Sequence, residues 1–519
     1  MARLWPTFRS FCKSRLSAIA RSCFLGRERA RQKVRELKQR LGEYRAQALQ
    51  DRARIEQLEA ENRGLQDRVL VLEAEASKPR APVLPLGETP PGQQFGAGMM
   101  ALCVNLARQI GLRPAVTALG TFFVWLNVSP ATPTYQTIRL WMQRIGLDRM
   151  RNVAKEDGGV WLTDHSNQIG KEKVLTIMKV REWQPGAALR LEDMDILMVK
   201  PGESWKREDV AAAYQATAKR CGVPRAVEMD GAVELREPVA TLGKPRKRPL
   251  TLRDPKHFLA NQLEALLKKD PQWEAFTKQL GGTRSAVQQT ELAHFVPPSF
   301  KAKARFMNLK PTLHWALTTL WHLAHPDSQS RRGIASERMR EKLGWLEAFA
   351  PNIEQWQECQ TVISATLTFL NTEGVFRGVA ERLRERVTGL ACGVMGKELV
   401  ARTVTFLDEH EKNLKDGEHL PMSTEIVESA FGTYKQLEKQ QSKGGFTHLL
   451  LTFPVLLRAT MPEEVRASFA RVKVADVKLW EKENMPQTLI AKRQLMFREA
   501  KPKAKRKSEN SATPLKTAA

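Results

Sequence analysis

Apolar and polar positions follow two different periods along this chain. Between residues 34 and 150 the apolar residues recur every three to four or every seven positions, which is typical of helices. Between residues 159 and 230 they form short runs rich in Val, Ile, Leu and Thr, which is typical of strands. From residue 256 onward helical spacing returns. The pattern predicts an α/β region set between helical segments.

A seven-residue repeat runs from Val34 to Leu72 and predicts a coiled coil over residues 34–76. A single amphipathic helix packed on its own domain is the alternative. Asn62 stands where a buried polar pair favours a parallel dimer, whereas Asp51 weakens the seam locally. We therefore expect a homodimer or a higher assembly. The two seams are Val34, Leu41, Ala48, Ile55, Asn62 and Val69, and Leu37, Tyr44, Asp51, Leu58, Leu65 and Leu72.

Residues 77–98 are aperiodic and rich in Pro and Gly, which indicates a linker. Residues 99–152 then hold two helical stretches. In the second, Ile138, Trp141, Met142 and Ile145 share one apolar face, and we expect Tyr135, Gln136, Arg139 and Gln143 to point away from it. This pattern predicts a helix-turn-helix-like DNA-binding domain that contacts DNA through Gln136, Arg139 and Gln143. A plain helical hairpin is the alternative.

Four short segments predict strands, at 159–166, 173–180, 195–200 and 225–230, with a helix at 204–222 before the last. The order βββαβ describes a mixed sheet of the ribonuclease H type, in which the first and fourth strands are neighbours. We expect the first part of this α/β core at 159–269, a large all-α insertion at 270–420, the last part of the core at 421–490 and a basic disordered tail at 491–519.

The charge of the chain points to a polyanionic partner. There are 83 Lys and Arg residues against 57 Asp and Glu residues, which gives a net charge of +26. Much of this excess lies at the two ends, in a predicted basic arm at 1–33 and in the tail. DNA is the first candidate partner. The six Cys residues show no metal-binding spacing and no apolar stretch is long enough to span a membrane, so we expect a cytoplasmic protein.

Three acidic residues are the candidate catalytic and metal-binding groups: Asp164, Asp230 and Glu428. In the predicted sheet Asp164 ends the first strand and Asp230 ends the fourth, so their carboxylates would meet at one edge. Grouped carboxylates repel one another unless cations neutralise them, and hard oxygen ligands suit Mg²⁺ or Mn²⁺, so we expect two such ions. Asp254 is an alternative second acid, although its position favours a helix cap, and Glu425 is an alternative third acid.

These residues resemble the DDE transposases of bacterial insertion sequences, within the retroviral-integrase superfamily. The resemblance covers roughly residues 159–440 and depends on "WLTDHSNQIGKEKVLTIMKV", "VEMDGAVEL" and "STEIVESAFGTYK". In the last of these, Glu428 and Lys435 have the Glu-x(6)-Lys spacing seen in many of these enzymes. Residues 270–420 look like the helical insertion domain that some of them carry, whereas the Tyr and Arg that often precede the Glu are absent.

The resemblance implies a Mg²⁺-dependent DNA transposase that cleaves element ends and joins them to target DNA in the bacterial nucleoid. Glu428 would be the third metal ligand, and Lys435 would contact DNA near the scissile phosphate. Two other functions remain open on the sequence. The chain could be a non-catalytic DNA-binding regulator or decayed element product, or a ribonuclease H-superfamily nuclease that cuts without strand transfer.

Overall fold

The structure is a computed structural model with two compact units. It describes residues 5–77, 87–128, 131–167, 172–202, 204–299, 306, 309–325, 327–329, 333–391, 393–440, 446–485 and 489–500. One unit consists of the described residues of Met1–Val83 and Asn127–Ala131, and the other of the described residues of Leu84–Leu126 and Thr132–Ala519. Part of the predicted linker, at 78–86, and most of the predicted tail, at 501–519, lie outside the described residues.

The first unit is built on one long helix, α1, which runs from Trp5 to Ser77. The predicted continuous helix over 34–72 is confirmed, but the predicted boundary at residue 33 does not interrupt it, because no Pro lies between residues 7 and 33. The apolar seam positions Ile55, Leu58 and Leu65 are about half exposed or more. Helix α1 therefore presents an uncovered apolar stripe.

The second unit begins with three helices: α2 (Ala97–Ile110), α3 (Leu112–Trp125) and α4 (Tyr135–Arg151). Thr134 caps α4, since its side chain accepts a hydrogen bond from the Thr137 backbone N–H. Residues 141–150 of α4 are buried on every side. An added Cβ at Gly146 would come 1.7 Å from the Leu451 carbonyl oxygen, so α4 packs with almost no space against the segment at 448–452.

The prediction that Gln143 faces solvent is wrong. Its side chain is buried, and its Nε2 donates to the His448 carbonyl oxygen at 3.0 Å. The charged residues of the same helix half are buried as well, and each of Arg144, Asp148 and Arg149 has partners. Sequence periodicity cannot separate a solvated polar face from one that hydrogen-bonds inside the protein. The second half of α4 is therefore an interior helix rather than an exposed recognition helix.

A five-stranded mixed sheet forms the centre of the second unit, in the order β3-β2-β1-β4-β5. The first three strands are antiparallel, whereas β4 runs parallel to both β1 and β5. The four predicted strands and the helix before the fourth are confirmed, and β5 was not predicted. The elements are β1 (Val160–Asn167), β2 (Lys173–Val180), β3 (Met194–Gly202), α5 (Arg207–Cys221), β4 (Ala226–Met229) and β5 (Leu250–Arg253).

The two faces of this sheet carry different side chains. One face packs against α5 through residues that include Trp161, Ile177, Tyr214 and Val227. Because side chains alternate along a strand, Asp164 and Glu228 point to the opposite face. The acidic residues therefore lie on the side of the sheet that does not carry α5.

Helices dominate the part of the chain predicted to be an all-α insertion. The exception is a short antiparallel pair, β6 (Val375–Phe376) and β7 (His419–Leu420), so the prediction of no strand over 270–420 is wrong at this point. Strands of two residues carry no detectable alternation, which explains the difference. Two helices precede this part, α6 (Val233–Arg236) and α7 (Pro255–Leu267). Its own helices are α8 (Pro271–Val287), α9 (Lys310–Ala324), α10 (Ser336–Leu343), α11 (Ala350–Glu373), α12 (Val379–Val387) and α13 (Val394–Glu411).

The chain ends in further helices, of which α14 carries the predicted third acid. The described part of the predicted disordered tail is helical, because α18 extends to residue 500. Among the described residues no helix is both long and apolar enough to cross a membrane. The elements are α14 (Glu425–Glu438), α15 (Phe453–Leu457), α16 (Pro462–Arg471), α17 (Val474–Asn484) and α18 (Leu489–Ala500).

Candidate active site

Three aspartates form a row across β1, β4 and β5, just beyond the carboxyl ends of β4 and β5. Leu162 of β1 pairs with Glu228 of β4, and Asp164 and Asp230 each follow two residues later. Met229 pairs with Arg253, and Asp230 and Asp254 each come next in the chain. Asp164, Asp230 and Asp254 therefore occupy equivalent positions on β1, β4 and β5. This row is called the acidic row below.

Asp164 lies inside β1. The prediction that it ends this strand is therefore wrong. The β1–β2 hairpin continues past it, with Asp164 opposite Thr176 and pairing as far as Asn167. Its Oδ1 accepts a hydrogen bond from the His165 backbone N–H at 2.7 Å. The side chain is partly buried, so the strand holds the carboxylate in a fixed place beside β4.

Asp230 directly follows β4 and starts a tight turn. Its Oδ1 accepts from the Ala232 backbone N–H at 2.8 Å, and Gly231 between them has a φ of 92°, which favours glycine. Asp230 is therefore also a turn residue. The turn does not exclude a role in the site, because it fixes the carboxylate next to Asp164.

The pKa of Asp164 shows that these carboxylates influence one another. Burial raises the pKa of its side chain, and with the charge of Asp230 it brings the value to about 7. The charges of Glu428 and Asp254 raise it further, whereas the bond from His165 lowers it. Asp164, Asp230 and Glu428, the three acids predicted from sequence, thus belong to one electrostatic cluster.

Both carboxyl oxygens of Asp254 accept hydrogen bonds from neighbouring protein groups. Its side chain is almost fully buried and caps α7, with Oδ1 accepting from the Lys256 backbone N–H at 3.0 Å. Its Oδ2 accepts from Thr424 Oγ1 at 2.6 Å. Burial raises the pKa of Asp254. The residue therefore connects the end of β5 and the start of α7 to the residue that precedes α14.

Helix α14 places Glu428 near the acidic row. Glu425 lies one turn earlier on the same helix. The Lys256 ammonium lies between them, 2.9 Å from Glu428 Oε2 and 3.3 Å from Glu425 Oε1. Burial opposes the charge on Lys256, but its bonds to the two glutamates raise the pKa above the ordinary value. Asn371 Nδ2 also donates to Glu425 Oε2 at 3.1 Å. Glu425 is thus held by Lys256 and Asn371.

Lys435 lies in the last turn of α14, two turns beyond Glu428, and both side chains are exposed. The Glu-x(6)-Lys spacing therefore does place the carboxylate and the ammonium along one accessible side of this helix. Helix α14 buries its opposite side through Val427, Phe431 and Tyr434. The role of Lys435 towards DNA stays a prediction.

Carboxylates are suitable ligands for Mg²⁺ or Mn²⁺, and the repulsion around Asp164 is the kind that a divalent cation relieves. Among the described residues, however, no three His, Cys, Asp or Glu side chains are placed so that they could hold one ion. The salt bridge to Lys256 engages Glu428 instead. The donor chemistry fits a metal, and the third ligand would have to leave Lys256 to complete the site.

Glu228 is an acidic residue of this region that was not predicted from the sequence. It lies on the same face of β4 as Asp230, fully buried, and neither carboxyl oxygen has a hydrogen-bond partner of good geometry in the described structure. Burial raises its pKa well above the ordinary value, and the nearby Ser423 backbone N–H offsets this only in part. The signal in the sequence was the i, i+2 spacing of two acids in "VEMD".

The predicted DNA-reading residues of α4 are not all available to a ligand. Gln136 is exposed, Arg139 is partly buried with its Nε unpaired, and Gln143 is buried. The Arg113 guanidinium lies over the Tyr135 ring at 5.0 Å, beside the exposed first turn. Any ligand contact by α4 would therefore involve the first turns of the helix.

No model of a known protein family and no curated protein sequence matches this chain. Among solved structures, the chain is similar to the Drosophila P element transposase strand transfer complex. The identity is 10%, the match covers 73% of this chain and 92% of that chain, and the TM-score is 0.35. The residue geometry, rather than this similarity, is the basis for assigning a function.

Proposed function

We propose that this chain is a DNA transposase of the DDE type with a ribonuclease H-like core. It would cleave DNA at the ends of a mobile element and transfer the freed strand to a target. The observation that carries the proposal is the position of Asp164 and Asp230 in register on neighbouring parallel strands, within electrostatic range of Glu428. The strand order β3-β2-β1-β4-β5, with β4 reached through a helix, supports the core assignment.

In this proposal Asp164, Asp230 and Glu428 hold Mg²⁺ or Mn²⁺, which would activate an attacking oxygen and stabilise the departing one. The protein itself supplies positioning. Strands β1 and β4 fix two carboxylates in the acidic row, and α14 adds the third from the side. Lys435 binds a phosphate two turns from Glu428 and so orients the DNA end.

The proposed partners are DNA and a second copy of the chain. A net charge of +26 favours a polyanion, and the basic residues near both ends would extend the contact. The exposed seam of α1 would be covered by the seam of another α1. A dimer suits transposition because two DNA ends have to be brought together.

The test is cleavage and joining of labelled DNA that flanks the coding region, in Mg²⁺ or Mn²⁺, beside a binding assay on the same proteins. The test variants are Asp164→Asn, Asp230→Asn and Glu428→Gln. Each should bind this DNA like the parent, and its cleavage rate should fall by about a thousandfold or more. Glu425→Gln is the matched control, because it neutralises the neighbouring glutamate that also contacts Lys256.

Each other result points to a specific alternative. If Glu425→Gln abolishes cleavage and Glu428→Gln does not, the third acid is Glu425. A parent that binds the flanking DNA but never cuts it is a regulator, and one that cuts without joining is a nuclease. If all the acid variants cut like the parent, the acidic row is not the catalytic centre.

A further inference from the structure

The turn that precedes the edge strand β5 is strongly basic. Residues 243–248 are exposed, and four of these six are cationic: Lys244, Arg246, Lys247 and Arg248. Within the described part of the chain none of the four forms an ion pair. Four like charges this close repel one another, and a bound polyanion would relieve that repulsion.

The backbone holds this turn in one conformation. A 3-10 helix spans Pro245–Lys247, and the Lys247 N–H donates to the Lys244 carbonyl oxygen at 2.8 Å. Gly243 has a φ of 71°, and an added Cβ there would come 2.5 Å from the Lys247 carbonyl oxygen. The cations are therefore presented by a preformed turn, which reduces the ordering cost when a ligand binds.

A cavity of about 250 Å³ lies along β5, and its lining on this strand begins at Leu250, two residues after this turn. Its lining includes Arg236, Thr251, Arg253 and His410, together with one acidic group, Glu409. The Nε of Arg253 is buried and has no hydrogen-bond partner. A buried guanidinium N–H without an acceptor is costly, and an anionic oxygen would satisfy it.

Charge on an edge strand can also serve to prevent pairing with another sheet. That explanation covers this region poorly. The four cations lie in the turn before β5 rather than on the strand. The strand edge is already partly covered by α13, because the Arg253 N–H donates to His410 Nε2 at 3.2 Å.

We infer that the β5 edge, defined by Arg236, Lys244, Arg246, Lys247, Arg248 and Arg253, binds the sugar-phosphate backbone of duplex DNA. The basic turn of this surface is separate from the acidic row, whereas Arg253 directly precedes Asp254 of the row. The basic turn is at the amino end of β5 and the row is at its carboxyl end, roughly 13 Å of strand away. The inference rests on the proposed function only for the choice of DNA as the polyanion.

The experiment measures the affinity of the full-length chain for a short random-sequence duplex as the salt concentration rises. The test variant combines Lys244→Gln, Arg246→Gln, Lys247→Gln and Arg248→Gln. Each lost phosphate contact lowers the slope of log affinity against log salt by about 0.9, so we expect a loss of about 2 to 4 in slope. Affinity at low salt should fall on the order of tenfold or more.

A matched control removes the same charge from exposed lysines elsewhere, through Lys268→Gln, Lys269→Gln, Lys278→Gln and Lys397→Gln. Its slope should stay close to that of the parent. A second variant, Arg236→Gln with Arg253→Gln, should lower the slope by about 1 to 2 because it empties the cavity of its cations. Circular dichroism and thermal unfolding identify any variant that fails to fold.

The inference is overturned if the turn variant keeps the slope of the parent, or if the control loses as much slope as the turn variant. It is also overturned if the turn variant loses binding to single-stranded RNA and keeps its binding to duplex DNA. If the turn variant has a lower slope than the parent but the parent never cuts DNA, the DNA-binding surface is supported and the proposed function is contradicted. The two can therefore fail separately.

Discussion

The Lys256 ammonium lies 2.9 Å from Glu428 Oε2, on the glutamate proposed as the third metal ligand. The same ammonium contacts Glu425 at 3.3 Å. One lysine from the start of α7 therefore pairs with two acids at the start of α14 and offsets part of their charge. Asp254 makes the second connection between these two helix ends, through Thr424.

We expect a divalent cation and Lys256 to compete for Glu428. In Lys256→Met the glutamates lose their cation, so Mn²⁺ should bind more tightly, by a few-fold to about tenfold, and should raise the unfolding temperature more than in the parent. The fold itself should lose no more than about 1 kcal/mol, because both glutamates are more than one third exposed.

The control is Lys268→Met, which removes a lysine paired with Glu264 on the surface of the same helix region. Its response to Mn²⁺ should match that of the parent. Thermal unfolding of both variants with and without Mn²⁺ makes the comparison. Equal shifts in all three proteins would contradict the competition.

Stability should depend on pH through Asp164. Its pKa is about 7 in the folded chain and about 3.9 when unfolded, so between these values the folded state binds more protons. The free energy of unfolding must then fall as pH rises from about 4 to about 7, by at most about 4 kcal/mol for this group. The raised pKa values of Glu228 and Asp254 act in the same direction.

Urea unfolding at about pH 5 and about pH 8, without divalent cations, measures this slope. Asp164→Asn removes the titrating carboxyl group and should flatten the dependence while leaving the contributions of Glu228 and Asp254. A variant that keeps the full slope of the parent would show that the Asp164 carboxyl group does not titrate in this range.

The sequence was sufficient for the strands and helices whose burial follows a simple period. Residues 173–180 and 207–221 fall where the pattern predicted a strand and a helix. Strand β5 was missed because its four residues are only partly buried and follow a basic turn that contains Pro245 and Pro249, whereas β4, equally short, is buried throughout and ends at an Asp-Gly turn. The row position of Asp254 depends on β5 and was therefore out of reach of the sequence alone.

Buried polar groups were the other source of error. Gln143 was expected on a solvated face, yet it and its charged neighbours Arg144 and Asp148 are buried against segments more than 300 positions away in the chain. The partners of Gln143 and Arg144 are backbone carbonyl groups of residues 448, 469 and 472, which leave no trace in a sequence pattern. The same limit applies to Lys256, since its pairing with α14 exists only in the folded chain.

Arg149 is expected to be the most sensitive residue of α4. Its buried guanidinium donates to both carboxyl oxygens of Glu464 at 2.7 Å and to the backbone around Pro454 and Ala459. Arg149→Met should cost about 3 to 5 kcal/mol, because Glu464 and several carbonyl groups lose their donor. Arg151→Met, on the exposed pair with Asp476, should cost less than about 1 kcal/mol. Urea unfolding compares the two, and equal losses would contradict the assigned role.

The seam of α1 is expected to dimerise the chain. Ile55, Leu58 and Leu65 lie along one stripe of a helix whose described side chains are exposed almost throughout. Burying the stripe against a second copy removes this apolar surface from water and places Asn62 opposite Asn62 in a parallel pair. Leu58→Asp, on the seam, should therefore dissociate the dimer at micromolar concentration.

Ala60→Asp is the control for this change, because it adds the same charge two positions along, outside both seams. Sedimentation equilibrium of the full-length chain should show a dimer for the parent and for Ala60→Asp, and a monomer for Leu58→Asp. Asn62→Leu should strengthen association and relax the choice of two strands, because the buried polar pair that selects the parallel dimer is lost. A parent that sediments as a monomer would show that the stripe on α1 is covered by something other than a second copy.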